Sequence, residues 1–112
     1  MNHKKYIENQ KKFVYISGPM TGIKDFNLPA FDKAEKHLKS FGYNVINPAD
    51  NQRKNPSDTW ENYMREAIKQ VCLCHIICFL PGWSDSKGAL FEAKVAGIIG
   101  TEAKLIEDFK NK

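Results

Sequence analysis

Four short apolar runs recur about every thirty residues along the chain: Phe13-Val14-Tyr15-Ile16, Tyr43-Asn44-Val45-Ile46, Ile76-Ile77-Cys78-Phe79-Leu80 and the weaker Ala103-Lys104-Leu105-Ile106. The segments between them carry a helical period instead. One starts at Pro29, a residue suited to a first turn, runs through Phe31, Ala34, Leu38 and Phe41, and stops at Gly42. A second shows Trp60, Tyr63, Met64, Ala67, Ile68 and Val71 at i, i+3, i+4 and i+7, with Asp58 and Glu61 as a capping pair at its start. A third spans about Gly88 to Ile99, with Phe91, Val95 and Ile98 on one side and Gly100 after it. Strand and helix alternating at this spacing predict βαβ units and a mostly parallel sheet. The expected fold is α/β: a small flavodoxin-like, doubly wound, three-layer sandwich of four or five strands. The third run is apolar throughout, as a central strand covered on both faces should be. Asn47 to Asp58 is polar and reads as a mobile loop.

Composition narrows the class. The chain has 112 residues, 42% hydrophobic and 27% charged, enough for one core without disulfide or metal staples. No apolar stretch reaches membrane-spanning length. The polar start has no secretory h-region, so a cytoplasmic protein is expected. The net charge of +4 is concentrated at one end. Residues 1–12 hold Lys4, Lys5, Lys11 and Lys12 against Glu8, a basic and frayed tail, while 13 basic and 12 acidic side chains remain for a single domain over 13–112. A near-neutral body argues against nucleic acid as a partner. Cys72, Cys74 and Cys78 lack a CxxC spacing and a second Cys/His cluster, so they read as structural thiols in a reducing compartment, with no metal. His75 beside them reads as a core-edge histidine.

Open parallel sheets bind ligands at the carboxyl ends of their strands. Three unusual segments fall there: Ser17-Gly18-Pro19-Met20-Thr21-Gly22, Asn47-Pro48-Ala49-Asp50, and Pro81-Gly82-Trp83-Ser84-Asp85-Ser86-Lys87-Gly88. Asp85 or Ser86 can cap the third helix and leave its first amides open to an anion. Gly88 removes a side chain where a ligand could approach. Glu92 follows one turn later among Gly88, Ala89, Ala93 and Ala96, with open space and a favourable helix dipole, and is expected to stay ionised. Such a carboxylate can attack a sugar C1 centre or stabilise an oxocarbenium-like transition state; it is also what a solvated helix start contains. Trp83 can stack on a nucleobase or close the core from above. Ser17-Gly18 with Gly22 is either a phosphate loop or a tight turn. Arg65 can bind a phosphate or pair with Glu61.

VYISGPMTGIKDFNLPAF, GYNVINPAD, W-x-x-YMR and LPGW-x-x-SKGALFEAKVA, over residues 13 to 107, together resemble the family called domain of unknown function 4406. That family is similar to the nucleoside 2-deoxyribosyltransferases and to the 2'-deoxynucleoside 5'-monophosphate N-hydrolases. The resemblance implies a nucleoside deoxyribosyltransferase-like domain that acts on a small nucleotide or nucleoside without a cofactor, as a homo-oligomer. It also implies that Glu92 is the nucleophile, that Ser86 contacts a 5'-phosphate, and that Tyr15, Ser17, Gly18, Pro19 and Met20 enclose base and sugar. Asn47 and Trp83 complete the expected binding set, and Asp85 is expected to orient the sugar or assist the base. Relatives carry acids where this chain has Ala67 and His75, so activation of the leaving group would fall to Asp85, His75, Asp50 or water. A nucleotide-binding module without catalysis and a structural oligomer are the other two function classes.

Overall fold

The computed structural model describes residues 3–110. Its elements run α1 (His3–Asn9), β1 (Phe13–Ser17), α2 (Leu28–Ser40), β2 (Asn44–Ile46), α3 (Ala49–Lys54), α4 (Trp60–Leu73), β3 (Ile76–Phe79), α5 (Lys87–Ile98) and β4 (Glu102–Leu105), with short 3-10 turns at Lys24–Asn27, Trp83–Asp85 and Ile106–Asp108. The four strands pair in parallel in the order β2-β1-β3-β4. This is the flavodoxin-like arrangement with four strands, and its topological switch point lies between β1 and β3.

Strand periodicity divides the core in two. Val14 and Ile16 of β1 face α2, where Phe31, Ala34 and Leu38 form a buried stripe together with Phe109 and Ala49. Tyr15 faces the other way, into a second cluster with Ala67, Val71 and Cys74 around α4 and Ala96 of α5. Ile76 to Phe79 are buried at every position, as the unbroken apolar run predicts.

Four local expectations are corrected. The stretch expected to fray folds over His3–Asn9 as α1, held where Asn9 is buried and its Nδ2 donates to Phe41 O at 2.8 Å. Gly42, at φ +97, makes that docking possible, because a Cβ there would lie 2.5 Å from Tyr6 O. The polar loop after β2 contains α3: Asn47 Oδ1 accepts from Ala49 N at 3.0 Å, and Ala49 and Gln52 bury the inner side. Thr59, not Asp58, caps α4, accepting from Asn62 N at 3.1 Å; Asp58 instead accepts from Thr59 N and Asn62 Nδ2.

The fourth correction concerns α5. Its buried residues are Ala89, Glu92 and Ala96, whereas Phe91 is 49% and Ile98 75% exposed. The helix lies too close to α4 for large side chains on its inner face. At Gly88 a Cβ would sit 3.2 Å from Met64 Sδ, so this glycine serves helix packing. Alanines at i and i+7 permit the approach, and the position between them places a carboxyl group inside.

Candidate active site

Ser17 ends β1 and Tyr15 precedes it by two residues, so both side chains leave the strand on the α5 side. There they meet Glu92. Tyr15 Oη donates to Glu92 Oε2 at 2.8 Å and Ser17 Oγ donates to Oε1 at 2.7 Å. All three residues are buried, Tyr15 and Ser17 completely and Glu92 to 6% exposure. The pair of hydroxyls comes from the strand at the switch point, and the carboxyl group from the helix that follows its neighbour.

The electrostatics differ from the sequence expectation. Glu92 lies beyond the first turn of α5, where the dipole has faded. Burial pushes its pKa up from 4.5 to about 7, against the opposing pull of the hydrogen bonds from Ser17 and Tyr15. The Tyr15 phenol moves well above its ordinary value, through burial first and the Glu92 charge second, and so remains a proton donor. Glu92 is therefore a carboxyl group poised near neutrality rather than a permanently ionised surface acid, and the open space expected around it is largely closed.

The other expected site residues divide by location. Ser86 caps α5, its Oγ accepting from Ala89 N at 3.2 Å, which leaves the hydroxyl proton available to a ligand. Asp85 is exposed in the 3-10 turn just before it. Trp83 tilts onto Phe79 with ring centroids 4.3 Å apart and packs against the Tyr15 cluster, closing the core from above. Gly18 gives way to Leu80, whose Cβ would be 2.9 Å from an added Cβ, and Met20 packs on the α2 side. Pro19 reaches the next rim loop: its Cγ is 3.4 Å from a Cβ built on Gly82. Asn47 belongs to the α2 face, donating to Asp32 Oδ1 at 3.2 Å and to Glu35 Oε1 at 2.9 Å. Asp50 pairs with Arg53 at 3.0 Å. Arg65 bonds Asn62 Oδ1 at 2.7 Å rather than pairing with Glu61.

His75 sits at the opposite, amino edge of the sheet. Its backbone N–H donates to Phe13 O at 2.9 Å, so it cannot serve Glu92. Ala67 is buried in the apolar cluster beside Tyr15. Cys74 and Cys78 are buried thiols pushed up to about 12 by desolvation. Among the described residues, no group of three or more His, Cys, Asp or Glu side chains is placed to hold a metal. The roles of Tyr15 and Ser17 as partners of Glu92 were missed in sequence; their i, i+2 spacing on a strand was the available signal.

Two solved 2-deoxyribosyltransferases share this architecture. One is from the psychrotolerant bacterium Bacillus psychrosaccharolyticus, with a TM-score of 0.66 and 20% identity, covering 83% of this chain and 70% of the other. Another, a 2-desoxiribosyltransferase from Leishmania mexicana, has a TM-score of 0.66 and 19% identity and covers 84% of this chain. This chain spans 63% of the Leishmania protein's length. At these identities the likeness is one of fold. Among curated proteins, none matches the chain. The family is identified by its own pattern: residues 12–104 match the domain of unknown function DUF4406, and the chain belongs to that family.

Proposed function

We propose that the chain cleaves or transfers at the N-glycosidic bond of a small nucleoside or nucleotide, with Glu92 as nucleophile. The observation that carries this reading is the carboxyl group on the inner stripe of α5, at the carboxyl rim of a parallel sheet, each oxygen held by a hydroxyl of β1. A buried carboxyl group costs stability that an apolar side chain would not, so packing alone does not account for it. The names of the proteins that share the fold support deoxyribose as the sugar.

In the ionised state, a Glu92 oxygen attacks C1'. The C1'–N bond breaks, its electron pair goes to the base nitrogen, and that nitrogen takes a proton from Asp85 or water. The glycosyl ester is then displaced by water, giving hydrolysis, or by a nitrogen of a second base, giving transfer. Two inversions yield net retention. Tyr15 and Ser17 fix the carboxylate between the steps. The Ser86 hydroxyl and the first amides of α5 would receive a phosphate when the substrate carries one. Every step uses side chains, substrate and water, and needs neither metal nor organic cofactor.

Exposed Leu90, Phe91 and Ile98 on the outer side of α5 support assembly of several copies. Three free cysteines support a reducing, cytoplasmic setting. No described helix is long and apolar enough to cross a membrane.

The test is base release from a panel of deoxynucleosides and deoxynucleotides, with and without an acceptor base, followed by chromatography. Wild type is expected to release free base, and Glu92→Gln to lose roughly a thousandfold or more of the rate. Equal release by both proteins refutes the reading. The near-closure of Glu92 in the single chain favours one alternative, a nucleotide-binding module. It predicts thermal stabilisation by a nucleotide with no base released.

A further inference from the structure

β4 is a lateral strand of the sheet, paired on one side only, with β3. The backbone decides which of its residues face outward. In a parallel pair, alternate residues direct both N–H and C=O to the neighbouring strand. Glu102 N donates to His75 O at 3.3 Å. Glu102 and Lys104 therefore bond β3, while Ala103 and Leu105 turn their backbone groups away from it. Natural sheets guard such a row with charge, proline or a covering element. Here the guard is weak. The Lys104 ammonium lies 4.3 Å from the centre of the Phe109 ring, folded back over its own chain. Ala103 is exposed, and Leu105 is 37% exposed.

Helix α5 continues this flank. α4 packs over β1 and α5 over β4. Gly88 marks the side of α5 that meets α4, with Met64 Sδ 3.2 Å from an added Cβ. At about 100° per residue, Leu90 and Gly97 lie on the opposite side, above the open edge of β4. Leu90 is 47% exposed, and a Cβ added at Gly97 would meet nothing within 4 Å. A free strand edge and a helix side carrying one large apolar residue and one bare stretch of backbone thus share a flank.

The charges of β4 select what covers it. We propose that a second copy of this chain adds its own β4 to that edge, antiparallel, with Ala103 opposite the partner's Ala103, so that one sheet runs through both copies. In this register the outward Ala103 N–H of each copy donates to the other's Ala103 carbonyl. Glu102 falls opposite the partner's Lys104 in a non-hydrogen-bonded pair, where facing side chains are closest. The two-fold axis repeats the contact. A slip to the next register in either direction sets Glu102 against Glu102 or Lys104 against Lys104, so like charges exclude both. Among the described residues Glu102 has no salt bridge within its own chain, which leaves its carboxylate for this pair. The proposal gives the copies a joining surface and does not depend on the glycosidic reading of Glu92.

Sedimentation velocity of the full chain, from about 1 µM to about 100 µM, tests it. Wild type is expected to form a dimer. Ala103→Pro removes an N–H that the single chain does not use, so the monomer should keep its circular dichroism while self-association falls roughly a hundredfold. Glu102→Lys and Lys104→Glu each place like charges face to face and should weaken the dimer about tenfold. Combining the two substitutions should restore it to within about threefold of wild type, a rescue that a loss of monomer stability would not give. A wild type that stays monomeric over the whole range overturns the proposal. So does a dimer that survives Ala103→Pro, since the copies would then join by another surface. If Ala103→Pro fails to fold, the charge exchange decides, and absence of rescue overturns the proposal. Base release is measured separately on the same proteins, so failure of the dimer and failure of the Glu92 reading are told apart.

Discussion

The two edges of one sheet gather reactive side chains to opposite effect. At the amino edge, Cys72, Cys74 and His75 line a hollow of ≈ 520 Å³ together with Ile99, Gly100 and Thr101. At the carboxyl edge the mark is contact: Tyr15 and Ser17 reach Glu92 across 77 and 75 positions of sequence. The thiols and imidazole of the amino edge are neighbours in sequence, and no hydrogen bond joins them. Burial holds the Cys74 thiol at about 12, far from a reactive thiolate. His75 Nδ1 accepts from Phe13 N at 2.9 Å, so the neutral ring carries its proton on Nε2 and offers a metal no lone pair there. Space alone therefore does not mark a site. Groups brought by topology from separate elements onto one carboxyl group do.

The sharpest way to break this contrast is to measure what the carboxyl group costs. Glu92 titrates near 7 in the folded chain and near 4.5 in an ordinary environment. Below 4.5 both states hold the proton and stability is unaffected. Between 4.5 and 7 the folded state keeps a proton that the unfolded state has lost, so stability falls as pH rises through that window. Above 7 the loss levels off at roughly 3 kcal/mol. Urea unfolding of wild type and Glu92→Gln from pH 4 to pH 8 isolates this contribution as a difference of differences. The variant should gain roughly 3 kcal/mol relative to wild type across the range. Parallel curves would mean that Glu92 is solvated, and the contrast between the edges would vanish.

Removing one hydroxyl should have a smaller effect on the same group. Tyr15→Phe keeps the ring and its packing but leaves Glu92 Oε2 without the donor at 2.8 Å. That bond favours the ionised carboxylate, so its loss pushes the Glu92 pKa further up. Base release at pH 7 should drop about tenfold, in line with the loss of a hydrogen bond to a charged group. The rising limb of the pH–rate profile should move to more alkaline pH. A reduced rate with an unmoved profile would assign Tyr15 to substrate contact instead.

The strands could be read from the sequence because period-two and unbroken apolar runs survive in any packing. The rim that holds Glu92 followed from their parallel order. The inner face of α5 was not readable, since Phe91, Val95 and Ile98 make an apolar stripe as convincing as Ala89 and Ala96, yet of that stripe Val95 alone packs on the core while Phe91 and Ile98 are exposed. Which one turns inward is decided by the distance to α4 and Met64, a tertiary fact. The ionisation of Glu92 was misjudged for a related reason: the dipole argument assumes a solvated first turn, and burial outweighs it. Docking of α1 depends on Tyr6 meeting Gly42, and α3 depends on the amide of Asn47 closing a turn. Neither contact leaves a periodic trace.

The smallest expected effect tests the comparison from its other side. His75→Ala removes an acceptor from Phe13 N, but that bond is exposed and water can replace it. The loss of stability should stay within about 1 kcal/mol. The imidazole is at the amino edge, and neither the Glu92 carboxyl nor its two hydroxyl donors change when it is removed. Base release by His75→Ala should therefore match wild type within about twofold, with the same pH profile, measured beside Tyr15→Phe under one set of conditions. A loss as large as that of Tyr15→Phe would mean that the amino edge takes part in the chemistry. Glu92 would then not be the centre of the site, because a residue at the far end of β3 could alter turnover only through a substrate seated where Cys72, His75 and Thr101 surround the hollow.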